Sequence, residues 1–207
     1  MLKGLLEKEL IVLIKNNKMQ LLFILMFVIL GVFLKNAMYI VMIPVLIPMQ
    51  IKQGISWDEL SKWDKYTCCL PVEKKTVVSA KYIMILLSAV FSVVLVTAAF
   101  LLMRLFGGAS ESLVPYFGLA FGESLLLPAL MLPFDFKFGS TKGRMVYFIL
   151  TGVIICVGGS IALTQGSEML TKLSDPSAIM LIFAAVSAVL FGVSWVLSAK
   201  IYEAREI

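Results

Sequence analysis

Glu123 is one of the few residues in this sequence placed to do chemistry. It sits in Gly118-Leu-Ala-Phe-Gly122-Glu123-Ser124, inside an apolar run bounded by Glu111 and Asp135. An ionised carboxylate there would cost on the order of 2.5–3.5 kcal/mol on insertion scales, so such groups face a bundle interior or a water-filled cavity. Two roles fit it. It could line a translocation path and attract a cationic substrate, or it could be a carboxyl that is neutral or hydrogen-bonded to Ser124 or a neighbouring helix. A second constellation is aromatic. Trp57, Leu60, Trp63 and Tyr66 or Thr67 recur at helical spacing and place large side chains on one face. Tryptophan and tyrosine anchor protein–protein contacts, so this face reads as a docking helix for a soluble partner. The competing reading is a helix lying at the membrane interface, where Trp and Tyr are also favoured.

The residue types needed for catalysis are missing. The chain has no histidine, which removes Ser-His-Asp hydrolysis, His-ligated zinc and His-ligated haem. Cys68, Cys69 and Cys156 are too few and too badly spaced for a disulfide framework or a zinc site. Gly139-Ser140-Thr141-Lys142-Gly143 lacks the spacing of a phosphate-binding loop. Asp135 and Asp175 fall at the ends of apolar runs, so neither paired intramembrane aspartates nor a metal-binding aspartate cluster is available. The chain is expected to be no enzyme and to bind no cofactor or metal itself.

The elements that hold these residues follow from composition. Of 207 residues, 60% are apolar and 15% charged, with a mean hydropathy of +0.99. A soluble domain has about 45–50% apolar and roughly 25% charged residues. The chain reads as a single all-α membrane domain over residues 1–207. Charged residues punctuate six apolar runs, giving spans at about 19–34, 36–51, 82–103, 112–134, 145–165 and 177–199. The last four reach the ~20 residues that a ~30 Å hydrocarbon core requires. The first two hold 16 each, and either could instead be a re-entrant segment. Continuous apolar runs without period-2 alternation argue for helices over a barrel. Val32-Phe33-Leu34-Lys35 is bulky throughout, so the first span is expected to be retained rather than cleaved as a leader.

Lysine and arginine placement sets the expected orientation. With the N-terminus in the cytoplasm, fifteen of the eighteen fall inside, leaving only Lys35, Arg104 and Lys172 outside. Both termini are then cytoplasmic, and the net charge of +5 carries topology rather than affinity for nucleic acid. Residues 2–14 form an amphipathic elbow helix, broken at Asn16-Asn17 before the first span. The largest cytoplasmic segment is 52–81. There Ser56 is expected to N-cap a helix with Glu59 as its capping-box partner, Asp58, Lys62 and Lys65 fall on the other faces, and Pro71 ends the helix. Gly152, Cys156 and Ser160 on span five and Ala184, Ala188 and Gly192 on span six form small-residue rows that would let these helices approach closely.

The cytoplasmic segments also carry a resemblance. Trp63-Asp64-Lys65-Tyr66, Leu70-Pro71-Val72, Lys74-Lys75-Thr76-Val77 and Lys81-Tyr82 resemble a pattern in the small permeases of bacterial type-2 ABC exporters. Pro133 to Gly139 with Lys142-Gly143-Arg144 resembles their turn after span four, and Ile201 to Glu206 their C-terminal ending. Within that group the chain is similar to permeases for amphipathic peptides such as phenol-soluble modulins and lantibiotics. The resemblance implies a half-transporter of the bacterial cytoplasmic membrane. Two copies, or a pair of permeases, would form the pathway, each above a separate ATPase subunit that binds ATP and Mg. Trp57 to Cys69 would be the coupling helix, with Trp57, Leu60, Trp63, Tyr66, Thr67 and Pro71 as its docking residues. Phe138, Lys142 and Arg144 would make secondary contacts. A secondary transporter, or an immunity protein without an ATPase partner, is the alternative.

Overall fold

Thirty-two residues from Lys74 to Leu105 form one unbroken helix, long enough at 1.5 Å per residue to cross a membrane with turns to spare. The computed structural model describes residues 2–16, 18–67, 69, 73–107, 113–140, 142–143, 145, 149 and 176–204. In chain order the helices are α1 (Leu2–Asn16), α2 (Lys18–Phe33), α3 (Ala37–Val41), α4 (Ile43–Leu60), α5 (Trp63–Thr67), α6 (Lys74–Leu105), α7 (Val114–Phe138) and α8 (Pro176–Ala204). No strand occurs among the described residues. Among the described residues four helical segments are long and apolar enough to span a membrane: Tyr39–Leu60, Lys74–Leu105, Tyr116–Phe138 and Ile179–Ala204. The pair Leu2–Lys15 and Lys18–Phe33, bent by 70°, makes a fifth if counted as one span. Apart from Met145 and Ile149, the span expected at 145–165, with its small-residue row, lies outside the described residues.

Among the described helices, α7 and α8 form the most extensive pair. Gly118 and Gly122 make this possible. A Cβ on Gly118 would lie 2.7 Å from the Met180 backbone, and one on Gly122 would lie 2.5 Å from the Phe183 ring. The two glycines one turn apart open the groove that admits α8, the small-xxx-small device of membrane helices. On α8 it is Ala184, Ser187, Phe191, Ser194 and Ser198 that are buried, whereas Ala188 and Gly192 of the expected row are exposed. One core cluster joins α4, α6, α7 and α8 around Ile55, Val78, Tyr82, Leu132 and Tyr202. A second, around Ile24, Ile40, Ile43, Phe100 and Met103, joins α2, α3, α4 and α6. Lys35 Nζ donates to the Gly107 carbonyl at 3.4 Å, so the short turns after α2 and α6 share one end. The lysines, aspartates and glutamates described next gather at the other.

One expected boundary moves. Lys52 was expected to end the second span, and Lys74-Lys75-Thr76 to lead into the helix that continues as the third. α4 instead runs on through Lys52 to Leu60, whereas α6 does start at Lys74 and carries Lys81 two turns in. The 52–81 segment therefore shrinks to a short connection around α5. Both lysines stay inside helices because each meets a carboxylate across the bundle.

Candidate functional site

Lys81 is buried two turns into α6, and its ammonium group contacts Glu9 Oε1 at 3.0 Å and Asp58 Oδ2 at 2.5 Å. Lys8 completes the set, meeting Glu9 Oε1 at 3.1 Å and Asp58 Oδ1 in a close contact. Two cations and two anions thus alternate around a closed ring, drawn from α1 (Lys8, Glu9), α4 (Asp58) and α6 (Lys81). The ring is neutral as a whole, which is what allows Glu9, Asp58 and Lys81 to be buried while Lys8 stays partly exposed: each ion is compensated on two sides. Trp63 lies over it, with its ring centroid 4.5 Å from Lys8 Nζ, a cation–π contact. Asp58, expected on a face other than the aromatic one, is buried where Lys8 and Lys81 converge on it.

A second tie lies beside the ring. The backbone N–H of Ser140 donates to both carboxylate oxygens of Glu59 at 3.0 Å, and its hydroxyl donates to Glu59 Oε2 as well. Gly139 precedes it at φ 83°, and a Cβ there would sit 2.6 Å from Glu59 Oε1. Glycine serves both the positive φ and the close approach. Charge-assisted hydrogen bonds of this kind contribute roughly 1.5–3 kcal/mol each. Lys52 faces Asp135 at 3.8 Å, a second link from α4 to the α7 end of the bundle. The expected capping box fails for the same reason. Ser56 lies inside α4 rather than at its start, and Glu59 reaches across to Ser140 instead of back to Ser56.

These ties hold an exposed edge. α4 closes at Ser61, whose N–H donates to the Trp57 carbonyl at 3.0 Å. Lys62 then adopts φ 55°, a left-handed turn that costs an L-residue about 1–2 kcal/mol. This turn splits the single aromatic face expected from the spacing. Trp57 and Leu60 remain on α4, 48% and 75% exposed, and Tyr66 on α5 is 57% exposed. Trp63 instead turns inward, packing on the core and meeting Tyr66 at 5.3 Å between ring centroids. Thr67 is buried. Phe138, at the end of α7, is exposed beside the Glu59–Ser140 tie, and Lys142 is exposed one turn on. Pro71 and Arg144 lie outside the described residues. The arrangement is a rigidly backed, aromatic-edged surface at the charged end of an apolar bundle, with no group of His, Cys, Asp and Glu among the described residues that could hold a metal.

A family model described as ABC-2 family transporter protein matches residues 4–203. The chain belongs to the ABC-2 transporter family. No curated protein and no solved structure matches it. The match covers every described helix apart from two residues at the start of α1 and one at the end of α8. With its apolar helices it makes the chain a multi-pass membrane protein and an ABC-2 type permease. Permeases of the ABC-2 family generally pair with an ABC ATPase and act in a membrane.

In this ABC-2 permease the residues that sequence spacing singled out fall into three groups. Trp57, Leu60, Tyr66, Phe138 and Lys142 share the exposed end. Trp63 and Thr67 support it from below. Glu123 stands apart on α7, half-buried, with its Oε2 buried and without a hydrogen-bond partner among the described residues. Ser124, an expected partner for Glu123, donates instead to the Phe121 carbonyl at 2.9 Å. Spacing missed the four-charge ring, because its members are separated by up to 73 positions. It also missed the Gly118–Gly122 groove, for which the small-xxx-small pattern was a readable signal.

Proposed function

We propose that this permease forms the membrane pathway of an ATP-driven exporter, acting with a second permease copy or a paired permease and with a separate ATPase subunit beneath each. Six spans, including one over 145–165, complete the pathway. The charged end faces the cytoplasm, as the lysine and arginine bias requires, and both termini lie there. The α1 helix serves as the elbow. The ATPase seats on Trp57, Leu60 and Tyr66, with Phe138 and Lys142 at the margin. Amphipathic peptides or hydrophobic compounds are the substrate class, on the strength of the loop resemblance.

One observation carries the docking assignment. Two large aromatic side chains and a leucine stay exposed on backbone that the Glu59–Ser140 tie and the charge ring hold still. Rigid, exposed aromatic anchors are what partner recognition uses. Pull-down of the tagged permease from its native membrane in mild detergent is expected to bring a stoichiometric P-loop ATPase. Trp57→Ala with Leu60→Ala should lower its recovery more than about thirtyfold, a loss of 2 kcal/mol or more at a hot spot. Undiminished recovery would count against this surface. A permease that emerges alone would instead favour a secondary transporter or an immunity protein.

Glu123 is proposed to line the pathway. Its Oε2, without a hydrogen-bond partner among the described residues, and its half-buried position support a lining role more than a packed core. Peptide export by Glu123→Gln at matched expression is expected to fall; wild-type rates would return Glu123 to a packing role.

A further inference from the structure

We propose that the Lys8–Glu9–Asp58–Lys81 ring is the joint through which movement of the docking edge reaches the spanning helices, so that Glu9 and Lys81 are positioning residues for transport. The inference rests on the docking reading above. Its basis is connectivity. Trp63, in the segment just after the docking helix, contacts the ring at Lys8. Asp58 is the immediate neighbour of Trp57 and binds both ring lysines. On the far side, Lys81 is followed directly by Tyr82, which is buried. The Tyr82 hydroxyl lies 2.8 Å from Ser194 Oγ and 2.7 Å from Ser198 Oγ. Ser194 donates to the Ala129 carbonyl on α7 at 2.7 Å, so its one proton is committed. Tyr82 must then donate to Ser194 and accept from Ser198, which fixes the direction of the chain. Polar contacts therefore run from α5 and α4 through α1 to α6, and from α6 to α8 and α7.

The chemistry of the ring makes it suited to transmission. Four paired charges have few alternative arrangements in a largely buried site, since moving one member strands another. A shift of α4 relative to α6 must either carry Lys81 along or expose a buried ion. A purely apolar contact at this place could slide without that constraint. Spatial intermediacy alone does not establish coupling, so the test reads movement at the far end.

Trp195 provides the readout. It stacks on Tyr82 with ring centroids 5.5 Å apart and planes 10° apart. The permease with its co-purified ATPase would be trapped with ATP, Mg and orthovanadate, and Trp195 fluorescence isolated by subtracting the signal of a Trp195→Phe complex. The wild type is expected to show a nucleotide-dependent change. The double variant Glu9→Gln with Lys81→Met removes one charge of each sign, leaves Lys8 paired with Asp58, and severs only the link to α6. It should keep the ATPase bound and lose the change, while Lys81→Arg should retain it. An unchanged Trp195 response in the double variant with ATPase bound would overturn the proposal. So would a wild-type complex that shows no response, or a double variant that loses the ATPase, which would place the ring in docking rather than transmission. A wild type that never captures an ATPase would overturn the docking reading itself, and this inference with it.

Discussion

Asp58→Ala is expected to destabilise this permease by about 3–5 kcal/mol, the cost of removing one partner from a buried charge cluster. Asp58 is the only residue that α4 contributes to the ring, and it contacts both lysines. Without it, Lys8 and Lys81 share Glu9 alone, and one buried ammonium group is uncompensated. The expectation has a built-in control. Asp58→Leu combined with Lys81→Met leaves Lys8 and Glu9 as a neutral pair and should recover most of the loss, because replacing ions by apolar groups of similar size is often neutral or better. Thermal unfolding in detergent, followed by the surviving size-exclusion peak, would measure both. A single variant within about 0.5 kcal/mol of wild type, the range of ordinary surface changes, would show that water reaches the ring. A double variant worse than the single would mean that Lys81 holds α6 by packing and not by charge.

The second large effect is steric and distinguishes two glycines that look alike in sequence. Gly118→Ala should cost about 1–3 kcal/mol, the usual range for overpacking, because its Cβ meets the Met180 backbone carbonyl group at 2.7 Å. Backbone can yield only by moving α8 as a whole. Gly122→Ala is also crowded, at 2.5 Å, but against the Phe183 ring, which can change rotamer. It should therefore be the milder of the two. Larger residues remove the difference: valine at either position should separate α7 from α8. Parallel melts of the two alanine variants would test the ranking, and Gly122→Ala proving the more harmful would mean that the Phe183 ring has no room to turn.

Both effects rest on contacts that charge punctuation and spacing do not register. Treating Lys52 and Lys81 as the limits of membrane spans follows from the cost of burying an unpaired lysine. That cost is removed when Asp135, Glu9 and Asp58 arrive from other helices. Ser56 and Glu59 match a capping box in spacing, yet α4 arrives at them already helical from Ile43. The segment therefore has no free N-terminal amides for Ser56 to cap. The aromatic row was legible as exposed side chains for Trp57, Leu60 and Tyr66. It failed for Trp63 because the left-handed turn at Lys62 interrupts the helical phase on which the row depends.

The sequence alone determined that this is a helical membrane protein, and where most of its described apolar helices lie. In a lipid interior every backbone amide must be satisfied within its own segment, so a long apolar run has one regular solution whatever surrounds it. The end that gathers the basic residues and aromatic anchors was also readable, since those residue types are placed by local chemistry. Only the tertiary structure decided which charges are inside. A buried ion is tolerable or ruinous according to partners contributed by α1, α4 and α6 together, and that convergence is a property of three helices meeting at one place rather than of any one of them.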